Sequence, residues 1–135
     1  MDLRSYAVTK LASGEINAQT TTKQTIFTVP TGKVMIPIFL AIRQPSASLA
    51  GLTDADFGAG ANADDWLQQI SLDSYTATTD FGILAQPAQA AGPPIVPTKK
   101  TVYVAADVFG IKINTGSTGA ATVSIDLYGY LEDAA

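Results

Sequence analysis

The 135-residue chain contains no cysteine and no histidine. Disulfide frameworks, Cys nucleophiles, Ser-His triads and zinc or haem sites of the usual kind are thereby excluded. Charge is scarce as well, at 15% Asp, Glu, Lys and Arg, where roughly a quarter is common, and it is unevenly spread. From Gln44 to Thr98 there is no Lys or Arg, while Asp54, Asp56, Asp64, Asp65, Asp73 and Asp80 bring that stretch to −6. The rest of the chain is +2 and the whole is −4, the wrong sign for following a phosphate backbone, so no nucleic acid partner is expected. Long hydrophobic runs are also missing. The longest, residues 34–42, is nine residues with Pro37 inside it, against about 20 for a helix that crosses a bilayer, and no membrane partner is expected. The start, Met1-Asp2-Leu3-Arg4-Ser5, has no basic stretch followed by an apolar one, so no secretory signal is expected. Lack of cysteine fits a reducing compartment.

What remains is 47% apolar, with a mean hydropathy of +0.20, too apolar for a disordered chain. The length suits one domain, residues 1–135, burying about two thirds of its extended-chain surface. Strand periodicity dominates. Gln24 to Val29 is β-branched and aromatic and ends at the turn Pro30-Thr31-Gly32. From Lys33 to Arg43, Val34, Ile36, Ile38, Leu40 and Ile42 share one face at period two, and Met35, Pro37, Phe39 and Ala41 share the other. Pro37 cannot donate to a ladder, which marks an edge or a bulge.

Further strands are expected over residues 81–86, 101–105, 108–114 and 122–131, with Asn114 to Gly119 as a hairpin loop between the last two. Residues 64–72 fit a short helix or, at period two through Trp66, Gln68, Ile70 and Leu72, a strand; the strand is the preferred reading. Eight or so short strands without a long helical period predict an all-β fold, a single antiparallel β-sandwich of jelly-roll type. It would carry long loops at about 44–65 and 87–98 and an N-terminal arm at 1–22. Loops of that length in a small domain usually have a job or move. The second contains Pro87, Pro93, Pro94 and Pro97 and either lies extended on a neighbouring subunit or simply crosses between sheets.

The acidic loop offers oxygen ligands. Asp54, Asp56, Asn62, Asp64 and Asp65 on a Gly-containing segment are the chemistry calcium needs, six to eight hard oxygens in loose geometry. The EF-hand pattern is not met, because position 5 is Gly58 and position 6 is Ala59. The competing reading is a solvated turn whose side chains cap their own backbone. Paired carboxylates for glycoside hydrolysis need one shared cleft, which an acidic loop alone does not specify, so no catalytic residue is assigned. Gly58-Ala59-Gly60 follows no βαβ context and is not read as a dinucleotide fingerprint. Trp66, Tyr75 and Tyr103, with Tyr128 and Tyr130, suit either a sugar-stacking platform or ordinary core and interface packing.

Three stretches carry a resemblance: TIFTVPTGKVMIPIFLAIRQPSASLAGLTDADFGAGANADDW, then LDSYTATTDF, then VFGIKINTGSTGAATVSIDLYGYLED. Their "VP-T/A-GK" turn, "PSASLAG-T-D-DFG-GANAD-W" loop and Gly-flanked closing strand resemble small structural proteins of tailed-bacteriophage virions. The likeness spans residues 24–86 and 105–133, differs at Gln44 where Asn is usual, and does not include 87–98. It implies a virion component of the head decoration (cement), head-fibre or tail-associated type, made in the host cytoplasm and located on the head surface. The implied partners are the major capsid protein and further copies of the chain, a trimer foremost, with 1–22 and the Pro-rich loop, Pro93 and Pro94 included, as contacts. The alternative role is a fibre or tail module that recognises a host glycan. No enzymatic activity and no cofactor, calcium aside, is expected.

Overall fold

Period-two alternation gives each strand one apolar side, and such strands bury it by stacking two sheets face to face. The computed structural model describes residues 3–86 and 100–135. After a 3-10 turn at Leu3–Ser5 come β1 (Thr9–Asn17), β2 (Gln24–Thr28), β3 (Lys33–Arg43), β4 (Asp54–Gly58), β5 (Leu67–Ile70), β6 (Phe81–Leu84), β7 (Tyr103–Val104), β8 (Val108–Thr115) and β9 (Thr122–Asp133). The first sheet runs β1-β9-β3-β6, with β7 also on β3, and the second runs β2-β8-β4-β5. The pairs β1–β9, β2–β8, β3–β6 and β4–β5 are all antiparallel. An antiparallel ribbon folded at its middle and then rolled up gives this nesting, so the sandwich is a jelly roll.

Several local expectations are corrected. Within the expected arm 1–22, Thr9–Asn17 is a full edge strand: Ile16 is buried beside Val123, and the strand's backbone pairs with β9 from Thr9 to Asn17. Within the expected loop 44–65, Asp54–Gly58 is a strand, because Ala55 and Phe57 alternate inward against β8. Residues 114–119 do not close a hairpin, since β8 and β9 belong to different sheets and the segment crosses between them. The ambiguous stretch near Trp66 resolves as strand over Leu67–Ile70. The Pro-rich segment lies outside the described residues, Pro93 and Pro94 included.

The two faces assigned to β3 also change. The register against β9 slips between Pro37 and Phe39, leaving Ile38 as a bulge. One extra residue reverses the phase of a strand. Met35 therefore points inward below the bulge and Leu40 and Ile42 above it, all fully buried, while Val34, Ile36, Phe39 and Ala41 share the outer side. Pro37 sits at the slip and between the stretches of β3 that pair with β7 and β6, where one ladder donor fewer does no damage.

The core between the sheets is filled by Ile16, Ile42, Ile125 and Leu127 from the first sheet and Phe57, Phe109, Ile111 and Ile113 from the second. Loop residues Leu49, Leu52 and Leu72 close the end at which β3 finishes and β9 starts.

Candidate functional site

The acidic residues are drawn apart by β4, which carries Asp54 and Asp56, and by the turn after it, which carries Asp64 and Asp65. Asp54 and Asp56, two apart on β4, face outward and meet Asn114 on β8, whose amide donates to Asp54 Oδ1 at 3.3 Å and Asp56 Oδ2 at 2.9 Å. Asp56 Oδ1 accepts the Gln69 N–H at 2.9 Å. Asp65 turns elsewhere: its Oδ1 accepts the Ala59 N–H at 2.8 Å and the Tyr103 hydroxyl at 2.7 Å. Asp64 accepts from Gln68 at 3.5 Å, and Asn62 lies in the exposed turn between β4 and β5. The five proposed calcium ligands thus do not converge: Asp54 and Asp56 share Asn114, Asp65 bonds Ala59 and Tyr103, Asp64 meets Gln68, and Asn62 stands in the turn. Among the described residues no three of His, Cys, Asp and Glu stand together as a metal cluster.

The aromatic candidates divide as well. Trp66 is 1% exposed and Tyr103 fully buried, and both meet the Phe109 ring edge-on, at 5.6 Å and 5.4 Å between centroids. They are core residues, not a stacking platform. Burial, and then the bond to Asp65, push the Tyr103 hydroxyl well above the ordinary tyrosine range. Lys100 lies 4.8 Å above the Tyr103 ring and bonds Asp107 at 3.0 Å. Burial pulls the Lys23 ammonium down, opposed by the charges of Asp65 and Asp107, while its Nζ donates to the Val108 carbonyl.

Tyr75 alone of the three is accessible. It lines an open pocket of about 250 Å³ with Ser74, Asp80 and Phe81. The pocket's shape depends on Gly82, where a Cβ would fall 1.7 Å from the Tyr75 hydroxyl oxygen. Asp80 folds the turn beneath by accepting the N–H groups of Thr76 and Ala77, both at 2.8 Å. Burial, and secondarily the charge of Asp80, raise the Tyr75 pKa.

Two features were not singled out from sequence. The first is a fork of charge on the outer face of the first sheet, where Arg43 Nε and Nη2 donate to the two oxygens of Asp126 at 2.8 and 3.2 Å. The Ser13 hydroxyl adds a third bond at 2.5 Å, so the cluster ties β1, β9 and β3 together. Arg43 holds the Asp126 carboxyl below the usual carboxylate range. A lowered folded-state pKa contributes stability that is full above the ordinary value, about 4, and disappears as pH falls through the folded value. Asp126→Ala is expected to cost about 2 kcal/mol at neutral pH. Melting temperatures across a pH series should show that difference shrinking below about pH 4; a difference independent of pH would show that the charge is not its source.

The second feature is an exposed apolar patch on that same face. Phe81 is 63% exposed, Ile83 51% and Val104 53%. The β3–β6 register sets Phe81 beside Arg43 and Ile83 beside Ala41, both on the outer side. Phe39 lies flat on Tyr128, with centroids 4.6 Å apart and planes at 12°, and Ile38 projects from the bulge. The outer face of the second sheet carries Asp54, Asp56, Lys112 and Asn114 instead. The patch was legible only in part, since period two set Ile38 on one face with Leu40 and Ile42, which the structure buries, and the pairing of β6 with β3 is not written in either segment. Comparison with family models, with curated proteins and with solved structures gives no match to this chain.

Proposed function

We propose that the chain is a decoration (cement) protein of a tailed bacteriophage, a homo-oligomer, with a trimer favoured, that binds the outside of the major capsid shell and stabilises it by non-covalent contact. In this reading it is made in the host cytoplasm, is located on the head surface, and acts without catalysis or cofactor. One observation carries the reading: a jelly roll with one polar outer face presents on the other a broad apolar patch suited to lying against protein. The motif resemblance supports the same assignment. Each site would add modest buried apolar area at a subunit junction, about 25 cal/mol per Å², repeated over the whole shell and favouring the intact state by mass action.

A second reading, a fibre or tail module for a host glycan, is favoured by the Tyr75–Asp80–Phe81 pocket. Rings beside a carboxylate and a hydroxyl are the groups that hold a sugar's apolar face and its hydroxyls. Copy number separates the two. Quantitative mass spectrometry of purified virions is expected to give about one copy, or about a third of one, per major capsid subunit. Around a dozen copies or fewer per particle would favour the glycan module, and absence from the particle would overturn both.

A further inference from the structure

We propose that the pocket lined by Ser74, Tyr75, Asp80 and Phe81 takes the protonated amine of an amino sugar. This names the class of sugar for the glycan reading above and rests on that reading, not on binding to a shell.

Fixed charge, aromatic lining and size carry the inference. Asp80 is held from two sides: its N–H donates to the Ala77 carbonyl at 3.0 Å, and its Oδ2 accepts the Thr76 and Ala77 N–H groups. Oδ1 has no hydrogen-bond partner among the described residues, so a carboxylate fixed in the pocket wall keeps one oxygen for a ligand. No cation of the chain answers that charge. Asp80 belongs to none of the ion pairs among the described residues, Lys33–Asp133, Arg43–Asp126 and Lys100–Asp107. Arg43, which the register sets beside Phe81, commits Nε and Nη2 to Asp126 and Nη1 to Gln44. The surrounding sequence offers none either, since Gln44 to Thr98 holds six Asp and no Lys or Arg. A site whose fixed charge has one sign concentrates ligands of the other. The two rings in the lining favour the same ligand, because an ammonium within about 6 Å of an aromatic face is drawn to it. The volume, about 250 Å³, lies below the range of about 300–1,000 Å³ for drug-sized ligands and suits one sugar residue. A neutral sugar would use the rings and the Tyr75 hydroxyl and leave the Asp80 charge unanswered, whereas an amine meets it.

The test is titration of the full chain with glucosamine and, at matched ionic strength, with neutral N-acetylglucosamine, followed by the amide NMR shifts of Thr76, Ala77 and Gly82. Glucosamine is expected to bind saturably and about threefold or more tighter than the neutral sugar. Asp80→Asn keeps an oxygen for the Thr76 and Ala77 N–H groups and should remove that preference, with the near-ultraviolet dichroism of the wild type retained. Asp133→Asn changes the net charge equally at a distant, exposed carboxylate paired with Lys33, and should leave the preference intact. Equal binding of the two sugars by the wild type overturns the ammonium and leaves the glycan reading standing, while binding of neither overturns both. A folded Asp80→Asn variant that keeps the preference, or an Asp133→Asn variant that loses it, also overturns the proposal.

Discussion

Phe109→Ala is expected to lower the melting temperature by roughly 15 °C. The ring is fully buried and is the piece that both Trp66 and Tyr103 meet edge-on. Removing a buried Phe side chain costs about 3–5 kcal/mol through lost transfer energy and the cavity left behind. Edge-to-face pairs add about 0.5–1.5 kcal/mol each beyond burial. A domain of this size is stable by about 5–15 kcal/mol, with about 4 °C of melting temperature per kcal/mol, so the loss is a large share of the total. Trp66 is the chain's one tryptophan, and its fluorescence reports the cavity directly, red-shifting as water reaches the indole. Phe109→Leu, which keeps most of the volume, should cost about a third as much. If alanine and leucine were equally tolerated, the three-ring centre would not be what holds the sheets together.

Gly58→Ala is expected to destabilise by about 3 kcal/mol through a different route, backbone strain and a displaced carboxylate. Gly58 closes β4 at φ +154°, and a Cβ there would sit 2.1 Å from Asp65 Oδ1 and 2.9 Å from the Asp65 nitrogen. Asp65 would have to swing away, releasing the Ala59 N–H and leaving the Tyr103 hydroxyl without an acceptor inside the core. A double-mutant cycle with Asp65→Ala isolates the clash. In that background the alanine at 58 should cost clearly less, because only the backbone contacts remain. Strict additivity in urea unfolding would sink this account.

The sandwich itself was legible because its signal is local. Val123, Ile125 and Leu127 alternate against Thr122, Ser124 and Asp126, and the structure buries the first set. Period two says which way a side chain points only until a residue is inserted, and the Ile38 bulge reversed half of β3. Pairing was illegible for another reason. Ser13, Arg43 and Asp126 are far apart in the chain, and nothing near any of them announces the other two. The acidic loop shows the opposite error, since residues adjacent in sequence looked like one ligand set. Alternation along β4 and the turn after it sent Asp56 to the outer face and Asp65 toward Tyr103.

The nesting of strands has a consequence for how the chain must assemble. β9, the latest strand in chain order, lies between β1, the earliest, and β3, and pairs with both. Until it emerges from the ribosome, the first sheet has no centre, and Ile16, Leu40 and Ile42 have no Ile125 or Leu127 to pack against. Partners joined across most of the chain's length make folding slow, in the range of milliseconds to seconds. A nascent chain that stops short of Thr122 would hold a complete second sheet with its inner face open to water, the kind of intermediate that sticks to its neighbours. High-level synthesis should therefore be limited by the emergence of β9, and cooling or chaperone supply during translation should raise the soluble yield more than any substitution on the outer surface.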